Sequence, residues 1–80
     1  MPEENAIKVT VKLFASFRRD RFREALQSRP QGTRIADVVS DLGIEPTDVG
    51  MIFVRGLHAQ PEQMLRDGDT LALFPRLGGG

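Results

Sequence analysis

Residues 7–14 are the most regular stretch of the chain, because apolar and polar side chains alternate there without a break. One side of this stretch carries Ile7, Val9, Val11 and Leu13, and the other carries Lys8, Thr10 and Lys12. Strict alternation is typical of a strand with one buried face, so the segment predicts a half-buried β-strand. Such a strand needs partner strands and a second layer that covers its apolar face.

Weaker patterns predict the elements that follow. Residues 15–22 lack a clear period and predict a loop, whereas residues 23–29 predict a second strand that forms a hairpin with the first. Thr33 is the predicted N-cap of an amphipathic helix of roughly two to three turns, which Gly43 ends. The apolar stripe of this helix consists of Ile35, Val38, Val39 and Leu42.

Three more strands are predicted in the second half of the chain, at residues 51–54, 57–59 and 71–74. Tight turns at residues 55–56 and 67–69 precede the last two strands, and residues 61–66 are compatible with a single helical turn. Pro75 cannot donate a hydrogen bond to a sheet, so it closes the last strand. This order predicts an α+β fold, the ubiquitin-like β-grasp, with a mixed sheet of about four to five strands packed on one helix.

Size and composition exclude several classes of function. The sequence has 80 residues, so we expect one β-grasp domain over residues 1–80, with residues 76–80 as a flexible tail. It has no cysteine and one histidine, which excludes thiol nucleophiles and leaves no expected metal site. The apolar stretches are too short to span a bilayer and no signal peptide is visible, so we expect a cytoplasmic protein without a membrane partner.

The charges balance overall but are unevenly distributed. Eleven basic and eleven acidic residues cancel, which argues against a nucleic-acid partner. The first half of the chain carries Arg18, Arg19, Arg21, Arg23, Arg29 and Arg34. This arginine group is compatible with a docking patch for an acidic partner and also with a solvated rim.

The run Gly78, Gly79 and Gly80 is the strongest functional indication among the residues themselves. Glycines present no side chain to a narrow channel, and five extended residues after Pro75 would reach about 16 Å. A terminal carboxylate is an anion at neutral pH, so it must be activated, most simply as an acyl-adenylate, before a nucleophile can replace an oxygen. A frayed chain end is the alternative explanation.

Four segments, taken together, resemble the ubiquitin-like sulfur carriers, and among them the small subunit of molybdopterin synthase. They are VKLFASFR at residues 11–18, GTRIADV at residues 32–38, DGDTLALFP at residues 67–75, and the glycine run. The resemblance implies that a ubiquitin-activating-like enzyme adenylates Gly80 and that Gly80 becomes a thiocarboxylate. It also implies that the large synthase subunit receives the tail, and that this chain has no cofactor and no catalytic machinery of its own.

The resemblance also implies which residues form the site. Gly80 would carry the adenylate and the thiocarboxylate, and the expected partner contacts come from Phe74, Pro75, Arg76, Leu77, Gly78 and Gly79. Phe74 would join Phe53 or Leu57 in an apolar patch that contacts partner proteins. Plain core packing is the alternative for Phe53 and Leu57.

The sequence leaves the pathway open. Three terminal glycines also occur in the related thiamine-pathway carriers, for which thiazole synthase would receive the sulfur, whereas residues 14–22 favour the molybdopterin side. Arg55 and Gly56 stand where relatives commonly have Asn-Gly. A carrier for another pathway, a modifier joined through Gly80 to lysines, and an interaction domain with an inert tail are the other interpretations.

Overall fold

A computed structural model of the protein describes residues 5–76, which form a five-stranded mixed sheet and one α-helix. The elements are β1 (Ala6–Leu13), β2 (Glu24–Pro30), α1 (Ile35–Asp41), β3 (Val49–Val54), β4 (Leu57–His58) and β5 (Thr70–Pro75). The sheet order is β2-β1-β5-β3-β4, with β1 and β5 parallel at the centre and the other neighbours antiparallel. This is the β-grasp fold, and the prediction of the fold class is confirmed.

The core lies between α1 and one face of the sheet. Alternate residues of the central strands are buried there, namely Ile7, Val9, Val11, Leu13, Ile52, Val54, Leu71 and Leu73. From the helix, Ile35, Val38 and Val39 pack against them, while Phe17, Ile44, Ala59 and Leu65 close the sides. Complete burial of one such side chain contributes about 1.5–3 kcal/mol, so this layer is the main source of stability.

The start of α1 differs from the prediction. Thr33 is not the N-cap, because the helix begins after Arg34 and the Thr33 hydroxyl donates to the Pro30 carbonyl at 2.7 Å. The free amides of Ile35 and Ala36 donate instead to main-chain carbonyls in residues 61–66, at 3.0 and 2.9 Å. Residues 61–66 form no helical turn. Instead, their main-chain carbonyls cap the N-terminus of α1.

The end of α1 follows the prediction. The helix ends at Asp41, and Gly43 has a φ of +74°, a left-handed conformation that is common just after a helix. Asp41 forms an ion pair with Arg29 of β2, which ties the last turn of the helix to the edge of the sheet. Within residues 5–76, no helix is long and apolar enough to cross a membrane.

The turn before β5 is held by a buried carboxylate. Asp69 is 2% exposed; its Oδ2 accepts a hydrogen bond from the Arg66 amide at 2.7 Å, and its Oδ1 pairs with the Arg55 guanidinium. Arg55 and Gly56 form the β3–β4 turn with φ values of +52° and +78°. The β3–β4 turn and the turn before β5 are therefore joined through Asp69.

Candidate functional site: the open sheet face and the end of β5

The two parallel central strands end at the same side of the sheet. Because β1 and β5 run in the same direction, Phe14 directly after β1 lies beside Phe74 near the end of β5. The Phe14 amide donates to the Leu73 carbonyl at 3.2 Å, which continues the pairing for one residue. β5 therefore ends next to the aromatic side chains described next.

A row of side chains in aromatic contact crosses the sheet face that α1 leaves open, and we call it the aromatic row. It consists of Arg18, Phe14, Phe74, Phe53 and His58. The rings of Phe14 and Phe74 stack at 4.2 Å between centroids, and Phe53 meets Phe74 edge to face at 5.8 Å. The Arg18 guanidinium lies 5.3 Å from the Phe14 centroid, and His58 meets Phe53 edge to face at 5.7 Å.

The aromatic row combines apolar area with a fixed geometry. Its three phenylalanines are half-buried, and the alternation of the strands turns them away from the core. Stacked and edge-to-face pairs contribute about 0.5–1.5 kcal/mol each beyond the area they bury, so the rings hold each other in place. A pre-ordered, partly exposed aromatic surface loses little conformational entropy when a partner covers it.

The structure brings Phe74 and Phe53 together, but it places Leu57 elsewhere. Leu57 lies opposite Val54, a core-facing residue of β3, and it is 70% exposed at the edge of the sheet. Core packing therefore does not explain Leu57. His58, the next residue, lies opposite Phe53 and takes the place beside it.

Sequence reasoning missed Phe14, Arg18 and His58 as members of this surface. Phe14 ends the alternating stretch on the polar side of β1, and a large apolar residue at such a position is the signal that could have found it. The positions of Arg18 and His58 depend on the β1–β2 connection and on the register of β4. No pattern in the sequence predicts the position of Arg18 or of His58.

The end of β5 is fastened to the segment before β3. Pro75 lies opposite Val49, and the Arg76 amide donates to the Asp48 carbonyl at 2.9 Å. The Arg76 guanidinium also donates to the Thr47 carbonyl at 3.2 Å. Arg76, which the sequence assigned to a flexible tail, is therefore held against the domain by its main chain and by its side chain.

The arginine group predicted from the sequence does not form one patch. Arg18 lies on Phe14, Arg29 pairs with Asp41, and Arg34 donates to the Glu62 carbonyl at 2.7 Å. Arg21 donates to the carbonyl of Leu42 just after α1, at 2.9 Å. Most of these guanidinium groups are therefore used within the molecule, which favours the interpretation as a solvated rim.

Four of the predicted site residues, Leu77, Gly78, Gly79 and Gly80, lie outside the described residues. Among residues 5–76, no group of three or more histidine, cysteine, aspartate or glutamate side chains is arranged to hold a metal ion. The described part of the site offers a partly exposed aromatic surface and a fixed residue, Arg76, directly after β5.

Comparison with known proteins assigns the family. The sequence profile of the ThiS family matches residues 11–80, which is most of the chain. The chain belongs to the ThiS family. The resemblance to ubiquitin-like sulfur carriers is thereby confirmed at the level of the family. A search of curated proteins found no match to the chain.

The solved structures that the chain resembles include molybdopterin converting factor subunits and a small archaeal modifier protein. A putative molybdopterin converting factor, subunit 1, from Pyrococcus furiosus is 29% identical, with a TM-score of 0.72 and coverage of 89% of this chain and 99% of its own. Small archaeal modifier protein 1 from Methanosarcina acetivorans is 22% identical (TM-score 0.71; coverage 94% and 98%). Subunit 1 or 2 of a Helicobacter pylori molybdopterin-converting factor complex is 18% identical (TM-score 0.61; coverage 92% and 100%). The last two similarities establish the fold alone.

Proposed function

We propose that this ThiS-family chain is a sulfur carrier whose Gly80 carboxylate is adenylated, converted to a thiocarboxylate, and used as a sulfur donor in molybdopterin biosynthesis. The observation that carries the proposal is the position of the aromatic row beside the end of β5, from which the chain continues to the glycine run. A partner that covers the aromatic row could therefore also reach the residues that follow β5 in the sequence.

The proposed chemistry takes place on partner enzymes. A carboxylate oxygen of Gly80 attacks the α-phosphate of ATP, and pyrophosphate leaves. Hydrosulfide, the simplest donor at the required oxidation level, then attacks the acyl carbon and loses its proton. AMP leaves with the electrons of the acyl C–O bond, so that a thiocarboxylate remains. In this proposal the chain is a protein co-substrate and not an enzyme, because it supplies the carboxylate while the partner enzymes supply the catalytic groups.

Two partner classes follow from the proposal. The first is an adenylating enzyme related to ubiquitin-activating enzymes, and the second is the large subunit of a synthase. The Helicobacter pylori complex, in which subunits 1 and 2 of a molybdopterin-converting factor are bound together, supports the second class by analogy of fold. Membership of the ThiS family keeps thiazole synthase as the alternative recipient of the sulfur.

The intact mass of the protein purified from its own host tests this proposal. We expect a chain that ends at Gly80, with a fraction heavier by the difference between one sulfur and one oxygen. Ladders of larger conjugates would indicate a protein modifier instead. Only unmodified chains, in cells that grow under demand for the cofactor, would contradict both covalent functions.

A substitution at the reacting residue tests the role of Gly80. Gly80→Val places a branched side chain beside the reacting carbon, and we expect it to lower kcat/KM for adenylation roughly a hundredfold through misplacement of the carboxylate. Pyrophosphate exchange with the adenylating enzyme measures this effect. Leu26→Ala is the control, because Leu26 is 67% exposed on the β2 edge, and full activity of Gly80→Val would refute the assignment.

A further inference from the structure

The segment that precedes β3 carries the contacts that fix Arg76. Residues 46–48 form a short 3₁₀ turn, Pro46–Asp48, in which the Asp48 amide donates to the Glu45 carbonyl at 2.8 Å. The turn directs the carbonyls of Thr47 and Asp48 toward Arg76, which donates to both of them. These carbonyls are main-chain groups, so the contact depends on the path of the backbone and not on the side chains of the turn.

Gly50 is the second part of this contact. The pairing of β3 with β5 shifts by one residue between Val49 and Met51, and Gly50 lies in that irregularity. A Cβ atom at Gly50 would lie 2.8 Å from the Pro75 carbonyl oxygen and 2.9 Å from the Arg76 Cα. Contacts this short with main-chain atoms cannot be relieved by a side-chain rotation, so the end of β5 can lie across residue 50 only because that residue is glycine.

We propose that Gly50 and the carbonyls of Thr47 and Asp48 form a positioning site for the carboxyl-terminal segment of this chain. The site fixes Arg76 and so sets the direction in which the residues after it leave the sheet, relative to the aromatic row. This inference rests on the proposed function, because a fixed direction matters only if a partner must receive the segment. It assigns Gly50 as a positioning residue that acts through Arg76.

The site has a specific kinetic consequence. Gly50→Ala alters no side chain of the aromatic row, so the KM of the adenylating enzyme for the carrier should stay within about twofold. The chain after Arg76 would leave in other directions, so fewer docked complexes would be productive. We expect kcat to fall about tenfold. Phe74→Ala, which alters the docking surface itself, should raise KM instead.

Thr47→Ala is the matched control, because it changes the side chain of the same turn and keeps the carbonyl that Arg76 uses. Arg76→Ala provides a second variant if Gly50→Ala folds poorly, since it removes the guanidinium contact without touching β3. We expect it to lower kcat about threefold, which corresponds to the loss of one hydrogen bond. Circular dichroism melts establish that each variant is folded at the assay temperature.

Hydrogen exchange of the Arg76 amide, measured by NMR, tests the positioning site without the enzyme. We expect protection in the native chain and in Thr47→Ala, and loss of protection in Gly50→Ala. An unprotected Arg76 amide in the native chain would overturn the proposal. So would a folded Gly50→Ala variant in which the Arg76 amide stays protected and kcat is unchanged. If the Arg76 amide is protected in the native chain but the chain is never adenylated, the proposed function is wrong, while the contacts that fix Arg76 are still present.

Discussion

Removing the Asp69 carboxylate should destabilise the fold more than any comparable change on the surface. Asp69→Ala deletes the acceptor of the Arg66 amide and the partner of Arg55 at once. The first contact lies in a part-buried turn, where water cannot readily replace the lost acceptor. The turn leads directly into β5, so its loss would also affect the strand that carries Leu71, Leu73 and Phe74.

The magnitude follows from these two contacts. A hydrogen bond to a charged acceptor contributes about 1.5–3 kcal/mol. The ion pair adds less, on the order of 0.2–1 kcal/mol, because the side chain of Arg55 is 47% exposed. Part of this sum is offset by the cost of burying the carboxylate, so we expect a loss of about 2 kcal/mol in the free energy of unfolding. For a domain of this size the melting temperature should fall by roughly 8–16 °C.

Urea unfolding followed by circular dichroism measures this loss, and Asp67 supplies the matched control. Asp67 belongs to the same turn and accepts a hydrogen bond from the Lys8 amide at 2.8 Å, but it is exposed. Asp67→Ala should therefore cost less than about 1 kcal/mol, because water replaces the carboxylate. Equal losses in Asp69→Ala and Asp67→Ala would refute the argument from burial.

Two further predictions concern the helix end and the docking surface. Arg21→Ala should lower the free energy of unfolding by about 1 kcal/mol in a thermal melt, because Arg21 donates to the carbonyl of Leu42, whereas Arg19→Ala should have no measurable effect. Phe74→Ala should weaken binding of the adenylating enzyme about tenfold by calorimetry, Leu57→Ala should weaken it less, and Leu26→Ala should leave it unchanged. Equal effects at Phe74 and Leu26 would contradict the assignment of the aromatic row.

Regular local patterns made most of the fold predictable. The alternation in β1, the apolar stripe of α1 and the position of Gly43 each correspond to an element that the structure contains. The errors concern main-chain contacts between distant segments. Thr33 was predicted as the N-cap because its residue type suits that position, but residues 61–66 already supply acceptors to the first amides of the helix. Such a contact forms only in three dimensions and leaves no local signal.

The site was predictable to a smaller extent, for the same reason. Alternation along the last strand placed Phe74 on the face opposite Leu71 and Leu73, whereas Phe53 was named only together with Leu57 and with core packing as the alternative. The partners Phe14 and His58 depend on which strands become neighbours, and the role of Gly50 depends on a shift in strand register. In the sequence Gly50 is one glycine among several, and only the path of Pro75 and Arg76 across it distinguishes it.

The alternation of β5 separates the effects of mutation on stability from those on partner binding. Leu71 and Leu73 face the core, so substitutions there should reduce the amount of folded protein and leave the activity per folded molecule unchanged. Phe74 faces the open side, where a substitution should act mainly on docking. Asp69 and Arg76 fix the strand at its two ends. A comparison of activity per folded molecule at successive positions of β5 would therefore alternate with the strand, and a smooth trend along it would contradict this division.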